Sequence, residues 1–240
     1  MLVSLIIPTL NEISSLPLLY QRLLKIQKDL KSNGDQLELV FVDDGSNDGT
    51  PDEIRKNLET WGAEFQLIER KERGLATAVL LGFDKAKGDI LGVIDSDGSH
   101  PPELIPKLLS KLEGADLVIA SRHLPGGGVE EWPLIRQWCS RWAAKIAWPL
   151  YGDVTDPMSG YFFLKRSVIE GARLNPLGYK ILLEILVKGK FKKFEEVAYI
   201  FRNRDLGKSK MNWKVIFHYG IHLVKLYIWK LGAFKNDCSA

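Results

Sequence analysis

Several features that would assign a protein to a class are scarce in this sequence. Among 240 residues there are two cysteines, Cys139 and Cys238, and their separation matches no metal-ligand spacing. We interpret them as free thiols of a reducing compartment rather than as a disulfide. No apolar run reaches the ~20 residues that a membrane-spanning helix needs, and the N-terminus lacks the basic lead and cleavage site of a signal peptide. If the protein works at a membrane, we expect it to lie on the surface or to use a partner.

An excess of charge of one sign is also missing. Lysine and arginine number 33 against 30 acidic residues, which gives a net charge of +3. This balance does not favour nucleic acid as a partner, so we predict none. A composition of 45% hydrophobic and 26% charged residues excludes bulk disorder. The length suits one large domain, with or without a short appendage.

What the sequence does contain is an alternation of short apolar runs and helical patterns. The runs predict buried strands at Leu2–Ile7, Leu37–Val42, Phe65–Glu69, Ile90–Ile94 and Leu117–Ala120. The helical periodicity predicts helices at Ser14–Lys31, Pro51–Trp61, Leu75–Ala86 and Glu103–Leu112. Strand and helix in strict alternation imply an α/β fold with a Rossmann-like, mostly parallel sheet and helices on both faces.

The pattern changes after residue 122. A glycine loop precedes a tryptophan-rich helix, and we then predict a hairpin-like region at Gly160–Lys165, a short helix, a strand near Val197–Phe201 and a final amphipathic helix. The last helix sets an apolar stripe along one side: Trp213, Ile216, Phe217, Gly220, Val224, Tyr227 and Leu231. Trp132, Trp138, Trp142 and Trp148 cluster in the earlier helix, among basic residues. Such helices could lie in the headgroup layer of a membrane, pack on the sheet, or bind a membrane subunit.

Acidic residues follow the predicted strands, at the edge where parallel sheets bind ligands. Asp95 and Asp97 flank one residue directly after a strand and can reach a common point. Their hard oxygens suit Mg²⁺ or Mn²⁺, which would bridge a diphosphate, although the same pattern is common in solvated turns. Asp43 and Asp44 end another strand, where we assign Asp43 to the fold and Asp44 to a ligand. Basic residues are present as well, and four of them lie within Phe201–Met211. This segment could close over phosphates as a clamp or could be a solvated loop.

Five motifs occur together in an order that identifies a family. They are Val3–Glu12, Val42–Ser46, Gly74–Ala78, Asp95–Glu103 and Asp156–Gly160. In this order the chain resembles family 2 glycosyltransferases, and within them the dolichyl-phosphate mannose synthases. Ser121-Arg122, Glu131–Pro133, Gly178–Leu182 and Gly207–Lys210 look like signatures of that subgroup. The resemblance runs from about residue 3 to about residue 225 of the printed sequence.

The resemblance implies a GT-A nucleotide-diphospho-sugar transferase fold, a GDP-mannose donor and an inverting transfer to dolichyl or polyprenyl phosphate. The residues it implies around the guanosine are Pro8, Leu10, Glu12, Val42 and Asp44. It implies Asp95, Ser96 and Asp97 at the donor diphosphate, and Asp95, Asp97 and Ser99 at a bound Mg²⁺ or Mn²⁺. It places Arg122, Arg136, Lys180, Arg204 and Lys210 against phosphates of donor or acceptor. Asp95, Asp97 and Arg122 are the predicted catalytic residues.

Some positions depart from the family pattern. Leu10 stands where an aromatic residue is usual, and Ser99 where some relatives carry Gln. Many relatives also carry C-terminal membrane spans, and we expect none within the printed sequence. We expect a GT-A domain at 1–210 and an amphipathic helix and tail at 211–240. The expected location is cytoplasmic, peripheral on the cytosolic face of a membrane, with a small membrane subunit as a further partner.

A lipid phosphate also makes chemical sense as the acceptor. A phosphomonoester has a second pKa of about 6, so it is already an anion near pH 7 and needs no general base. The sequence offers many cations and no convincing catalytic histidine, since we expect His100 to shape its loop. Three alternatives stay open: a polyprenyl-phosphate glucosyltransferase using UDP-glucose, a surface-polysaccharide glycosyltransferase, and a non-catalytic nucleotide-binding subunit.

Overall fold

The apolar runs form strands of a central sheet in the computed structural model, which describes residues 1–130, 145–178, 180–202 and 213–237. The strands are β1 (Leu2–Thr9), β2 (Gln36–Asp43), β3 (Phe65–Glu69), β4 (Ile90–Val93), β5 (Leu117–Ser121), β6 (Gly128–Val129), β7 (Phe162–Lys165), β8 (Phe194–Ala198) and β9 (Ile200–Phe201). Seven of them form one sheet in the order β3-β2-β1-β4-β7-β5-β8. In it β7 alone runs antiparallel to its neighbours. The remaining pair, β6 and β9, forms a small parallel sheet.

Helices connect the strands, as the alternation predicts. They are α1 (Leu16–Ser32), α2 (Thr50–Leu58), α3 (Leu75–Lys85), α4 (Ile105–Leu112), α5 (described over residues 145–151), α6 (Ile181–Lys188) and α7 (Trp213–Asp237). Short 3₁₀ turns occupy Pro102–Leu104 and Arg166–Val168. The predicted α/β fold with a mostly parallel sheet is confirmed, and the five predicted strands agree with β1 to β5 within two residues at each end.

Alternate residues of the strands face two separate layers of helices, because successive side chains of a strand point to opposite faces. On β1, Leu5 and Ile7 pack with residues of α1, α2 and α4, whereas Ile6 packs with residues of α3 and α6. Both faces of the sheet are therefore covered, which explains why the strand sequences are continuously apolar.

The region Gly160–Lys165 differs from the hairpin that the sequence predicts. Its strand, β7, inserts between β4 and β5 and pairs antiparallel with both. Phe163 lies opposite Gly92, and a Cβ added to Gly92 would come within 2.2 Å of the Phe163 ring. The missing side chain of Gly92 thus leaves room for this ring at the centre of the sheet. The hairpin prediction was wrong because the partners of β7 lie far away in sequence.

The C-terminal helix α7 packs on α5 and α6. Leu223 and Leu226 are buried with Leu150 and Leu183, and the Tyr227 hydroxyl donates to the Ile146 carbonyl at 2.7 Å. The predicted apolar stripe is not the face that packs inward: Val224 and Leu231 of the stripe are 58% and 65% exposed, whereas Leu223 and Leu226 are buried. The side chains of Trp213, Ile216 and Phe217, and residues Trp132, Trp138 and Trp142, lie outside the described part of the chain. Within that part, no helix is long and apolar enough to cross a membrane.

Candidate active site

The end of β2 carries two adjacent aspartates with different surroundings. Asp43 is 1% exposed, and its Oδ1 accepts the backbone N–H of Gly45 at 3.1 Å and of Ser46 at 2.8 Å. Its Oδ2 accepts the hydroxyls of Thr9 at 3.0 Å and Ser46 at 2.5 Å. Four donors from the protein account for this carboxylate. Asp43 therefore shapes the turn after β2 and ties it to β1, as the sequence indicates.

Asp44, which the sequence analysis assigns to a ligand, also forms hydrogen bonds within the protein. Its Oδ1 accepts Arg70 Nε at 2.5 Å, and its Oδ2 accepts the backbone N–H of Gly74 at 2.8 Å. Arg70 in turn donates through Nη2 to the Gly74 carbonyl at 2.6 Å and to the Thr77 hydroxyl at 3.0 Å. Asp44 and Arg70 thus form a nearly buried pair at the start of α3, and a ligand that used Asp44 would share it with Arg70.

Arg70 is the functional candidate that the sequence interpretation missed. It follows β3 directly, at the same edge of the sheet as Asp44. Ligands of parallel sheets bind at the carboxyl ends of the strands, and for β3 this rule points to Arg70.

The other residues predicted around the guanosine lie at the end of β1 and in β2. Leu10 and Glu12 are partly exposed, and the Glu12 backbone N–H donates to the Thr50 hydroxyl at 2.9 Å. Pro8 is buried, and Val42 is fully buried in the core on the α3 side of the sheet. Val42 could therefore contact a nucleotide only through its backbone. The loop after β1 is oriented by Asn11, whose backbone has a positive φ of 58°.

The loop after β4 carries the paired aspartates and is braced by His100. The Asp95 backbone N–H donates to His100 Nδ1 at 3.1 Å, and His100 Nε2 lies 3.8 Å from Asp95 Oδ2. The imidazole is 1% exposed and stacks on Tyr161 with ring centroids 5.2 Å apart. It also meets the ring of Tyr199 edge-on. His100 therefore holds the Asp95 backbone in place, in agreement with its predicted role in shaping the loop.

Asp97, Ser96 and Ser99 complete this turn. Asp97 Oδ1 accepts the Ser99 backbone N–H at 3.0 Å. The Ser96 hydroxyl donates to the Pro8 carbonyl at 3.0 Å, so the Ser96 side chain serves to join the ends of β1 and β4. Ser99 is fully buried, and within the described residues its hydroxyl has no hydrogen-bond partner. A buried hydroxyl of this kind is able to bond to a ligand or a water.

This donor set fits a divalent cation. The Asp95 side chain is 25% exposed and lies beside Gly160, where an added Cβ would be 3.6 Å from Asp95 Oδ2 and 3.3 Å from the His100 ring. The described residues contain no cluster of three or more acidic, histidine or cysteine ligands. Mg²⁺ and Mn²⁺ do not need one, because one or two carboxylates, waters and substrate phosphates complete their coordination. Asp95 and Asp97 would hold the ion, and the orphaned Ser99 hydroxyl is a further oxygen beside them.

Arg122 and Asp156 form a buried ion pair after β5. Arg122 Nε and Nη2 each donate to an Asp156 carboxylate oxygen at 2.7 Å, and the Arg122 backbone N–H donates to Oδ2 at 3.0 Å. Burial alone would lower the pKa of the guanidinium, but its hydrogen bonds to Asp156 and the charge of that carboxylate raise it above its ordinary value. Burial likewise opposes ionisation of Asp156, and the bonds and charge of Arg122 outweigh it and lower the carboxyl pKa. Both groups are therefore charged at neutral pH.

Glu196 on β8 orients this pair from behind. Its carboxylate accepts the Thr155 backbone N–H at 3.0 Å, the Thr155 hydroxyl at 2.8 Å and the Asp156 backbone N–H at 3.3 Å. The Thr155 hydroxyl also lies 2.6 Å from the Ser121 hydroxyl, at the end of β5. This network fixes the backbone on both sides of Asp156, and through Asp156 it fixes Arg122.

Lys180 is the remaining predicted phosphate contact that can be located. It stands at the start of α6, and its Nζ lies 5.9 Å from the centroid of the Tyr219 ring on α7. Arg136, Arg204 and Lys210 lie outside the described residues. Arg202, at the start of the predicted basic clamp, is exposed, and its backbone N–H donates to the Ser99 carbonyl at 3.3 Å. The basic segment therefore starts beside the acidic turn.

Comparison with known proteins gives concordant results. The model of the family described as glycosyl transferase family 2 matches residues 4–172. The dolichol-phosphate mannosyltransferase of Pyrococcus furiosus is 43% identical over 235 residues, which cover 96% of this chain and 65% of that protein. The dolichol-phosphate mannosyltransferase of Saccharomyces cerevisiae is 40% identical over 206 residues, which cover 82% of this chain and 76% of that protein. This chain thus spans slightly less than two thirds of the archaeal relative.

Solved structures agree on the fold. The mannosyltransferase PcManGT from Pyrobaculum calidifontis, in complex with GDP-Man and Mn²⁺, superimposes with a TM-score of 0.61 at 20% identity. The superposition covers 95% of this chain and 64% of that one. Together with the family match and the mostly parallel seven-stranded sheet, this likeness establishes that the chain belongs to glycosyltransferase family 2 and has the GT-A fold.

Proposed function

We propose that this protein is an inverting glycosyltransferase that moves mannose from GDP-mannose to dolichyl or a related polyprenyl phosphate. The observation that carries the proposal is the 43% identity, over 96% of the chain, with the dolichol-phosphate mannosyltransferase of Pyrococcus furiosus. The products would be GDP and a β-mannosyl phospholipid, since a single displacement at an α-linked donor inverts the anomeric carbon.

The acidic turn after β4 supports the donor half of this proposal. Asp95 and Asp97 would hold Mg²⁺ or Mn²⁺ together with the donor diphosphate, and Ser99 would add an oxygen. When bound, the ion would neutralise charge on the departing diphosphate. Asp44 with its partner Arg70, and the partly exposed Leu10 and Glu12, would contact the guanosine end.

The acceptor half rests on charge rather than on a base. The lipid phosphate is already an anion near pH 7, so one of its oxygens can attack the anomeric carbon while the bond to the diphosphate oxygen breaks. What the protein must supply is positive charge that steers and desolvates this anion. Arg122, fixed by Asp156, and Lys180 are the described candidates, and Arg136, Arg204 and Lys210 are candidates from the sequence.

We also propose that the protein lies peripherally on the cytosolic face of a membrane. A lipid acceptor must present its phosphate at the bilayer surface, and two neighbouring helices expose apolar side chains. The exposed residues are Ile146 and Trp148 on α5, with Val224, Ile228, Trp229 and Leu231 on α7. The two helices are joined by hydrogen bonds from Tyr227 and Lys230 to α5 carbonyls, so they would meet the headgroup layer as one unit. A small membrane subunit could bind the same surface.

Transfer of radiolabelled mannose from GDP-mannose to short-chain dolichyl phosphate tests the proposal. The reaction should proceed with Mg²⁺ or Mn²⁺ and stop with EDTA, and UDP-glucose run in parallel should give no product. Transfer from UDP-glucose alone would keep the enzyme class and overturn the donor. Absence of transfer from either donor, by protein that still binds nucleotide, would favour a missing membrane subunit or a non-catalytic role.

A further inference from the structure

Two buried polar side chains, Glu184 and His222, and the partly buried Lys188 join α6, α7 and the loop at 173–177. On α6, Glu184 Oε1 accepts the Asn175 backbone N–H at 2.6 Å and Lys188 Nζ at 2.5 Å. Lys188 Nζ also donates to the Arg173 carbonyl at 3.1 Å. The third group is His222 on α7, which is 1% exposed. Burying polar groups costs free energy unless they form hydrogen bonds, and the bonds formed here fix the position of the loop.

His222 holds the loop from the side of α7. Its Nδ1 accepts the Leu177 backbone N–H at 3.3 Å, and its Nε2 lies 3.8 Å from Glu184 Oε2. Because Nδ1 accepts a hydrogen bond, the neutral ring must carry its proton on Nε2. A separation of 3.8 Å is too long for a hydrogen bond, and neither Nε2 nor Oε2 has another partner within the described residues.

The loop that His222 holds leads to the nucleotide-binding edge. The Gly178 carbonyl accepts the Ala76 backbone N–H at 3.3 Å, in the first turn of α3. Two residues earlier, Gly74 donates to Asp44. After Gly178 the chain enters α6 at Lys180, whose ammonium lies over Tyr219 of α7. Helix α7 therefore contacts Leu177 and Lys180, and Gly178 between them contacts the start of α3.

We propose that His222 is a positioning residue: as a neutral imidazole it latches the loop at 173–177 to α7, and protonation opens the latch. A second proton at Nδ1 would place two N–H donors against each other, since the Leu177 amide offers no acceptor there. The consequence for the donor site rests on the proposed function, whereas the latch itself does not.

The surroundings of His222 keep the ring neutral at physiological pH. Burial lowers the pKa of the imidazole most strongly, the carboxylate of Glu184 raises it, and the ammonium groups of Lys188 and Lys225 lower it. The folded-state pKa therefore lies below the ordinary value of 6.5. Because the unfolded chain binds this proton more readily, the stability due to neutral His222 is complete above that value and is lost as the pH falls toward the folded-state pKa.

Amide hydrogen exchange at Leu177, followed by NMR and corrected for the intrinsic exchange rate, tests the latch without any substrate. In the wild-type protein the protection factor of Leu177 should fall about fivefold to tenfold, the worth of one hydrogen bond, between pH 7.5 and a pH at which the NMR shifts of the His222 ring show that it is protonated. In His222→Asn, Oδ1 replaces Nδ1 as a non-titrating acceptor, so protection should change less than about twofold. In His222→Leu, protection should be low at both pH values.

The contrary outcomes are equally specific. Equal protection of wild-type Leu177 at both pH values, or the same loss in His222→Asn, would overturn the proposal. If His222→Leu does not fold, the comparison of wild type with His222→Asn still decides. In transfer assays His222→Leu should raise the KM for the nucleotide-sugar about threefold to tenfold with little change in kcat, and His222→Asn should behave as wild type. If the protein transfers no sugar at all, that result bears on the proposed function alone, because the exchange data decide without any substrate whether the latch exists.

Discussion

Removing Asp156 should destabilise the protein severely, because it strands a buried charge. The Asp156→Ala substitution deletes the acceptor of three hydrogen bonds from Arg122, two from the guanidinium and one from the backbone. The two side chains are 8% and 0% exposed, so water cannot replace the lost partner. Loss of one member of a buried ion pair costs about 3–5 kcal/mol. For a chain of this length that corresponds to a fall in Tm of roughly 6–20 °C.

Two further variants separate this explanation from a general loss of packing. Arg122→Met combined with Asp156→Leu removes both charges, and its free energy of unfolding should lie within about 2 kcal/mol of wild type. The double variant should nevertheless lose transfer activity, since no guanidinium remains beside the acidic turn. Asp52→Ala breaks an exposed aspartate–arginine pair, with Arg55, and should cost less than about 1 kcal/mol.

Urea unfolding followed by far-UV circular dichroism measures these differences. A cost below about 1 kcal/mol for Asp156→Ala would refute the reasoning, as would a double variant no more stable than the single one. Acid provides a second check. The folded-state pKa of Asp156 is below its ordinary value of 3.8, so the stability due to its ionised form is present above that value and lost as the pH falls through the lower one. Asp156→Asn should lack this loss.

Three other substitutions probe the site and the surface of α7. Asp97→Asn should lower kcat by at least about 10²-fold and leave the Tm nearly unchanged, as measured by the transfer assay and by thermal unfolding. Gly160→Ala should reduce activity and the affinity for Mn²⁺ in nucleotide-binding titrations, because its Cβ would lie 3.3 Å from His100 and 3.6 Å from Asp95; Gly128→Ala, with open space around it, is the matched control and should change neither. Ile228→Ser should weaken sedimentation with anionic phospholipid vesicles and change stability by less than about 0.5 kcal/mol, since Ile228 is 65% exposed. The matched change at buried Leu226 should instead destabilise the fold by about 2–5 kcal/mol.

The parts of the fold that local patterns determine could be predicted from the sequence. Strands β1 to β5 each combine an apolar run with a polar stop, and the helices between them have clear periodicity, so both the elements and the parallel arrangement follow. The division of labour at the end of β2 was correct for Asp43, because a carboxylate followed by glycine and serine is typical of a turn. The position of Asp95 and Asp97 at the binding edge followed from the topology alone.

The parts that depend on distant partners could not be predicted. Nothing near Gly160–Lys165 indicates that β7 inserts between β4 and β5, since that depends on the register of Phe163 against Gly92. The inward face of α7 could not be predicted because apolar residues occur on most sides of this helix, which leaves the hydrophobic period weak. Leu223 and Leu226 are buried because they contact α5 and α6, and these contacts cannot be read from the sequence of α7 alone.

The carboxylates that follow the strands differ in the hydrogen bonds that hold them within the fold. Asp43 accepts four donors from its own turn and strand neighbour, and Asp156 accepts three from Arg122, so neither can turn to a ligand without dismantling the fold. Asp44 accepts the Arg70 side chain on one oxygen and the Gly74 backbone amide on the other. Asp95 keeps a quarter of its side chain exposed, next to Gly160. A carboxylate that exchanges ligands during each turnover needs access to solvent, and we therefore propose that Asp95 is the residue through which the acidic turn would meet the donor.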